Sequence, residues 1–121
     1  QVGFIPNDAK TCGCSRDWLV GTDDVPWIMG GEVKCPKPET HIGYLRAGTL
    51  PDYYKPQVHF SMAVTGLKTW DFMSYHPMLD PLIVHVEWSD YTDAVAAALA
   101  QFSVNLDLAR KQFGLQPLCA P

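Results

Sequence analysis

Pro36 and Pro38 end a mostly apolar run that begins at Ile28. Neither ring can donate an amide to a β-ladder, so an extended segment there has to stop at Cys35. A second run of similar character, Cys12 to Gly21, precedes it, and Thr22-Asp23-Asp24-Val25-Pro26 between them is turn-forming. The two runs read as the arms of a hairpin. Residues 1 to 11 carry Gly, Pro, Asn and Asp without apolar periodicity and read as an irregular lead-in.

Beyond the prolines, Thr40 to Ala47 fits a short helix capped by Thr40 and ended by Gly48. A longer helix is expected from Pro51 to Thr65, where Tyr54, Gln57, Val58, Ser61, Met62 and Thr65 recur at helical steps. Pro56 requires that this helix either start near Tyr53 or kink. Lys68 to Tyr75 and Leu82 to Trp88 are strand-like, with His76-Pro77 and Asp80-Pro81 between them. Asp90 to Phe113 reads as one long amphipathic helix, Ala-rich between Val95 and Phe102, with Gly114 as its stop. The order β-β-α-β-β-α implies an α/β fold with a mixed central sheet flanked by helices. At 121 residues and 47% hydrophobic content, one domain with a modest core is expected.

The formal net charge of -4 argues against a protein that binds DNA by electrostatics alone. Cations held by clustered acids would reverse the local field and leave Arg16, Lys34, Lys37, Arg46, Lys55 and Lys68 as basic groups. Cys12, Cys14, Cys35 and Cys119 are even in number but sparse, and no signal peptide precedes them, which points to reduced thiols in a cytoplasm. Cys12 and Cys14 lack further soft ligands at zinc-binding spacing, which ranks zinc low. The apolar runs are too short to cross a bilayer, so no membrane span is expected.

The chemistry concentrates in Glu32-Val33-Lys34. Alternate residues of a strand share a face, so a carboxylate and an ammonium stand side by side on an otherwise apolar arm. Asp17 lies on the neighbouring arm, where pairing can bring it near Glu32. Two carboxylates and a backbone carbonyl such as that of Val33 make a half-shell suited to Mg²⁺, a hard cation that keeps several waters. Hydrolysis of a phosphodiester needs charge neutralisation, an activated water and a steadied leaving oxygen. Lys34 is placed to orient or help deprotonate that water. The bland alternative is a solvated ion pair on an edge strand with Asp17 an ordinary turn acid, and for an isolated Glu-x-Lys tripeptide that alternative is preferred.

The context is longer than a tripeptide. Ser15-Arg16-Asp17-Trp18-Leu19-Val20-Gly21, then Gly31-Glu32-Val33-Lys34-Cys35-Pro36 with Thr40-His41 behind, resembles the signature of the YqaJ/lambda-type phage exonucleases. Tyr54 to Gly66 is similar to the family's helix, and Trp70-Asp71-Phe72 with Tyr75-His76-Pro77 to the strand that follows it. The similarity covers residues 12 to 105. It implies a restriction-endonuclease-like PD-(D/E)xK core in which Asp17, Glu32 and the Val33 carbonyl bind Mg²⁺ (or Mn²⁺) and Lys34 is the catalytic lysine. It also implies that Gln57 serves catalysis and that Tyr54, Gln57 and Arg16 meet the substrate. Further implications are 5'→3' exonuclease action on linear double-stranded DNA, phage recombination with a single-strand annealing protein, a homotrimer and a bacterial cytoplasm.

This sequence departs from the family at Trp18, where a glycine is usual. A position needing positive φ would be strained by an indole. Residues 1 to 11 cannot supply the family's upstream helical region either, so a fragment or a minimal version is expected. His41, His59, His76 and His85 have no partners at telling spacing and are expected on the surface or half-buried. The tryptophans Trp18, Trp27, Trp70 and Trp88 are expected in core or interface positions. Two rivals stay open: a structure-specific or restriction-type endonuclease of the same superfamily, and a catalytically silent DNA-binding or assembly remnant.

Overall fold

The computed structural model of this chain describes residues 3–118, and Cys119 lies outside them. The element order is β1 (Ile5–Pro6), β2 (Gly13–Cys14), β3 (Trp18–Val20), β4 (Met29–Lys34), α1 (Pro38–Ala47), α2 (Lys55–Thr65), β5 (Thr69–His76), β6 (Leu79–Glu87) and α3 (Asp90–Gln112). The fold is α/β with a mixed sheet and flanking helices, as the punctuation of the sequence implies.

The lead-in contains a strand. β1 and β2 form a separate antiparallel pair, Ile5 opposite Cys14 and Pro6 opposite Gly13. The reason is a side chain: Asn7 Oδ1 accepts the amides of Thr11 at 2.9 Å and Cys12 at 3.3 Å, closing a turn in which Lys10 takes φ 54. The expected arm from Cys12 to Gly21 is therefore two strands, β2 in the small sheet and β3 in the large one, parted by Ser15-Arg16-Asp17.

The large sheet runs β3-β4-β5-β6. β3 pairs antiparallel with β4, β4 parallel with β5, and β5 antiparallel with β6. A parallel pair needs a long crossover, and α1 and α2 supply it. The first helix starts at Pro38 rather than Thr40, with Lys37 as its N-cap and Gly48 at φ 64 closing it. Proline suits that first turn because the amide it lacks has no helical partner there. The same logic resolves Pro56: α2 starts at Lys55 with Tyr54 as N-cap, so the ring sits in the first turn and no kink is needed. Pro81 falls inside β6, an edge strand, where a missing donor is tolerated.

The core is Val58, Met62, Trp70, Phe72 and Val86, from one face of the sheet and the facing side of α2. Two glycines of β4 let aromatic rings lie against its backbone. A Cβ on Gly30 would stand 2.3 Å from Cζ3 of Trp70, and one on Gly31 would stand 1.9 Å from Cε2 of Trp18. α3 packs on α2, and His59 joins them: its Nδ1 lies 2.7 Å from Thr92 Oγ1, which also accepts the Ser89 amide at 3.1 Å in a capping box. Buried His41 and His59 depart from the expectation that the histidines lie at the surface or half-buried. Both nitrogens of His41 and Nδ1 of His59 have hydrogen-bond partners that offset the loss of water.

Two measurements test this packing. Gly30→Ala should cost about 1–3 kcal/mol in urea unfolding, because the fully buried Trp70 ring has no room to withdraw. Gly31→Ala should cost less, since the half-buried Trp18 ring can swing outward. Burial, helped by the Lys55 ammonium, pushes His59 below its ordinary pKa of 6.5. The folded state thus refuses a proton the unfolded chain accepts. That contribution is fully present above pH 6.5 and is lost as pH falls from there through the folded pKa. Urea midpoints should therefore drop as pH falls below 6.5, and His59→Gln should flatten that dependence.

Candidate active site

Pairing Trp18 with Gly31 places Asp17 alongside Glu32, just before β3 begins and where β4 continues past it. The Asp17 carboxylate takes over from the ladder: its Oδ2 accepts the Val33 amide at 2.7 Å, and the Asp17 amide donates to the Gly31 carbonyl at 3.1 Å. The amide and carbonyl of one extended residue point to the same edge, so the Val33 carbonyl also faces the side where Asp17 sits.

Glu32 is buried, at 7% exposure, on a central strand. It is not the solvated edge pair of the bland alternative. Its Oε1 accepts both Lys34 Nζ at 2.5 Å and Gln57 Nε2 at 2.7 Å, the latter from the first turn of α2. A buried carboxylate costs several kcal/mol unless paired and hydrogen-bonded, and these two donors meet that need. The Lys34 ammonium also lies 5.2 Å from the ring centroid of Tyr54, which packs on Phe72 at 5.2 Å. Tyr54 thus walls the lysine on one side while Asp17 and Gln57 remain exposed to solvent.

Among the described residues, no protein donor reaches Oδ1 of Asp17 or Oε2 of Glu32. Nor do three His, Cys, Asp or Glu side chains gather anywhere among them as a metal cage. What the site offers a cation is two carboxylate oxygens and a main-chain carbonyl, all hard donors, with an open side for water. That set fits Mg²⁺ or Mn²⁺, which take few protein ligands. Cys14, buried near Ser61 and Arg16, has its thiol pushed up by burial and so kept protonated.

Arg16 differs from its neighbours. It is buried, at 4% exposure, and donates from Nη2 to the Gly3 carbonyl at 2.9 Å, while Nε and Nη1 have no partner among the described residues. Trp18 is not strained: Lys10 is the one non-glycine residue at positive φ among those described. Its indole instead covers Gly31, so it lies in the strand and leaves Asp17 its turn-end position.

Sequence reasoning missed two residues beside the site. Ser74 is the register partner of Lys34 on β5, and its Oγ lies 2.7 Å from His41 Nδ1. Neither spacing nor residue type marks a lone serine in a strand as buried. The Thr40-His41 pair was visible only as part of a longer motif.

The chain matches the YqaJ-like viral recombinase domain over residues 2–68. Among solved structures it is similar to the alkaline exonuclease LHK-Exo from Laribacter hongkongensis, with 28% identity and a TM-score of 0.65, covering 94% of this chain and 61% of that one. LHK-Exo in complex with dAMP is similar at 29% identity and a TM-score of 0.66, covering 93% of this chain and 60% of that one. This chain therefore spans about three-fifths of the length of those structures. No curated protein matches it. With more than half of its residues matched by one family and its fold shared with an alkaline exonuclease, the chain belongs to the YqaJ-like viral recombinase domain family.

Proposed function

We propose that this chain is the nuclease core of a Mg²⁺- or Mn²⁺-dependent exonuclease that hydrolyses phosphodiester bonds of linear duplex DNA in the 5'→3' direction. The observation that carries the reading is the buried Glu32 carboxylate beside Asp17, with Lys34 and Gln57 both directed at it. The solved relative that holds dAMP, a deoxynucleotide, supports DNA as the substrate class.

Asp17, Glu32 and the Val33 carbonyl would hold the cation. When bound, a divalent cation supplies Lewis-acid charge to the scissile phosphate. The chain's own groups do the rest. Lys34, half-buried against Tyr54, holds a proton next to the position of an attacking water and orients it. Gln57 on its helix carries two amide protons, one given to Glu32 and the second available to a phosphate oxygen. Tyr54 forms a wall against which the terminal nucleotide rests. Arg16, next to Asp17 in the chain, adds positive charge on that side of the site, but its guanidinium is buried, so it acts at a distance rather than by touching a phosphate. The same reading carries a role in phage recombination with a single-strand annealing protein, a trimeric assembly and a bacterial cytoplasm.

Digestion of end-labelled linear duplex DNA tests this, with closed circular DNA alongside. Wild type should shorten the linear DNA with Mg²⁺ and stop in EDTA. Lys34→Ala should lose on the order of 10²–10⁴-fold in rate, the range expected for a proton-handling group. Asp17→Asn and Glu32→Gln keep a hydrogen-bond acceptor for their protein partners but lose the charge, so both should fold while failing to cut. Cutting of closed circles would move the reading to an endonuclease, and a metal-independent or absent activity would sink it.

A further inference from the structure

His41 and Ser74 have no part in the reading above, yet both have no exposed surface. His41 Nε2 lies 2.9 Å from the Asp80 carbonyl oxygen and Nδ1 lies 2.7 Å from Ser74 Oγ. A carbonyl can only accept, so the proton of a neutral His41 ring sits on Nε2, and Nδ1 is left as an acceptor. Ser74 then donates its hydroxyl proton to Nδ1. The lone pairs of Oγ are left to accept, and among the described residues nothing donates to them.

Ser74 stands beside Lys34 across the parallel β4–β5 pair, and the two side chains rise from the same face. In this structure the Lys34 ammonium is held by Glu32 Oε1, an oxygen it shares with Gln57. A cation on Glu32 repels that ammonium and competes for the same carboxylate. A half-buried ammonium released from its partner needs another acceptor, because leaving it without one costs the full desolvation penalty.

We propose that Ser74, held with its lone pairs outward by His41, is the second acceptor for the Lys34 ammonium when Glu32 engages a divalent cation. Ser74 and His41 are then positioning residues that act through Lys34. The inference rests on the metal-dependent nuclease reading. It goes beyond that reading in assigning the lysine two resting places, one on Glu32 and one on Ser74, exchanged as the metal arrives.

Calorimetric titration of the full chain with Mn²⁺ reads this without any turnover. Ser74→Ala should weaken Mn²⁺ binding by about fivefold, the equivalent of one hydrogen bond. It should also lower kcat on linear duplex while leaving KM unchanged, and Ser74→Thr, which keeps the hydroxyl, should restore both. The decisive comparison is made in a Lys34→Ala background, where adding Ser74→Ala should change Mn²⁺ affinity no further. Equal affinities for wild type and Ser74→Ala, or the same loss with and without Lys34, would overturn the proposal while leaving the nuclease reading intact. If wild type itself binds no Mn²⁺, both fall. Should Ser74→Ala lose its melting transition, Ser74→Cys, whose thiol is a poor acceptor, makes the same comparison.

Discussion

β4 lies parallel to β5 from Gly30 opposite Trp70 to Lys34 opposite Ser74, and the remaining architecture is arranged around that pairing. Parallel strands cannot be joined by a tight turn, so the chain between them has to cross over the sheet, and α1 and α2 are that crossover. Their placement on one face buries Trp70 and Phe72 under α2. It also brings the first turn of α2, with Tyr54 and Gln57, over the end of β4 where Glu32 and Lys34 sit. Core and site are thus two ends of one packed face: Trp70 lies beside Gly30, Phe72 beside Glu32, Ser74 beside Lys34. Moving along β4 by two residues at a time, the environment changes from fully apolar to charged.

That gradient is what makes the buried carboxylate tolerable. Glu32 sits where the apolar core ends, close enough to solvent for a cation to reach it. It is enclosed enough that its bonds to Lys34 and Gln57 are stronger than they would be in water. The rings flanking the strand add to the enclosure. Trp18 covers Gly31 from one face and Trp70 covers Gly30 from the other, so the β4 backbone leading into the acids is held between indoles. A glycine pair at that point allows this approach, since any Cβ would collide with a ring.

Much of this was legible in the sequence. Pro36 and Pro38 marked the end of β4, Pro56 marked the start of α2 once a first-turn position was considered, and the uninterrupted stretch after Ser89 gave α3. The alternation of Glu32 and Lys34 on an apolar strand and the three-residue step from Tyr54 to Gln57 located the site's parts. What the sequence did not reveal is set by contacts at long range or by side-chain bonding. β1 and β2 are two residues each, and the Asn7 side chain closes the turn between them, so no periodicity announces them. Arg16 reads as a surface cation by residue type, and its burial follows from the docking of the N-terminal segment over it. His41 is the same case: its two partners, Ser74 and Asp80, are more than thirty residues away.

In the structure as it stands, each of the two acids engages the protein through one oxygen. Asp17 commits Oδ2 to the Val33 amide, and Glu32 commits Oε1 to Lys34 and Gln57. A carboxylate has two oxygens and about four lone-pair sites, so one oxygen can serve the fold while the other faces outward. Each acid is positioned by the bond its inner oxygen makes, and that bond exists before any ligand arrives. For the cation proposed above, little would have to be organised, because the acids that carry the free oxygens are already held, one just before β3 and one on β4. It also means that charge and position are separable at both residues. Position comes from an acceptor that an amide can replace, whereas the attraction for a cation comes from the charge, which an amide cannot supply.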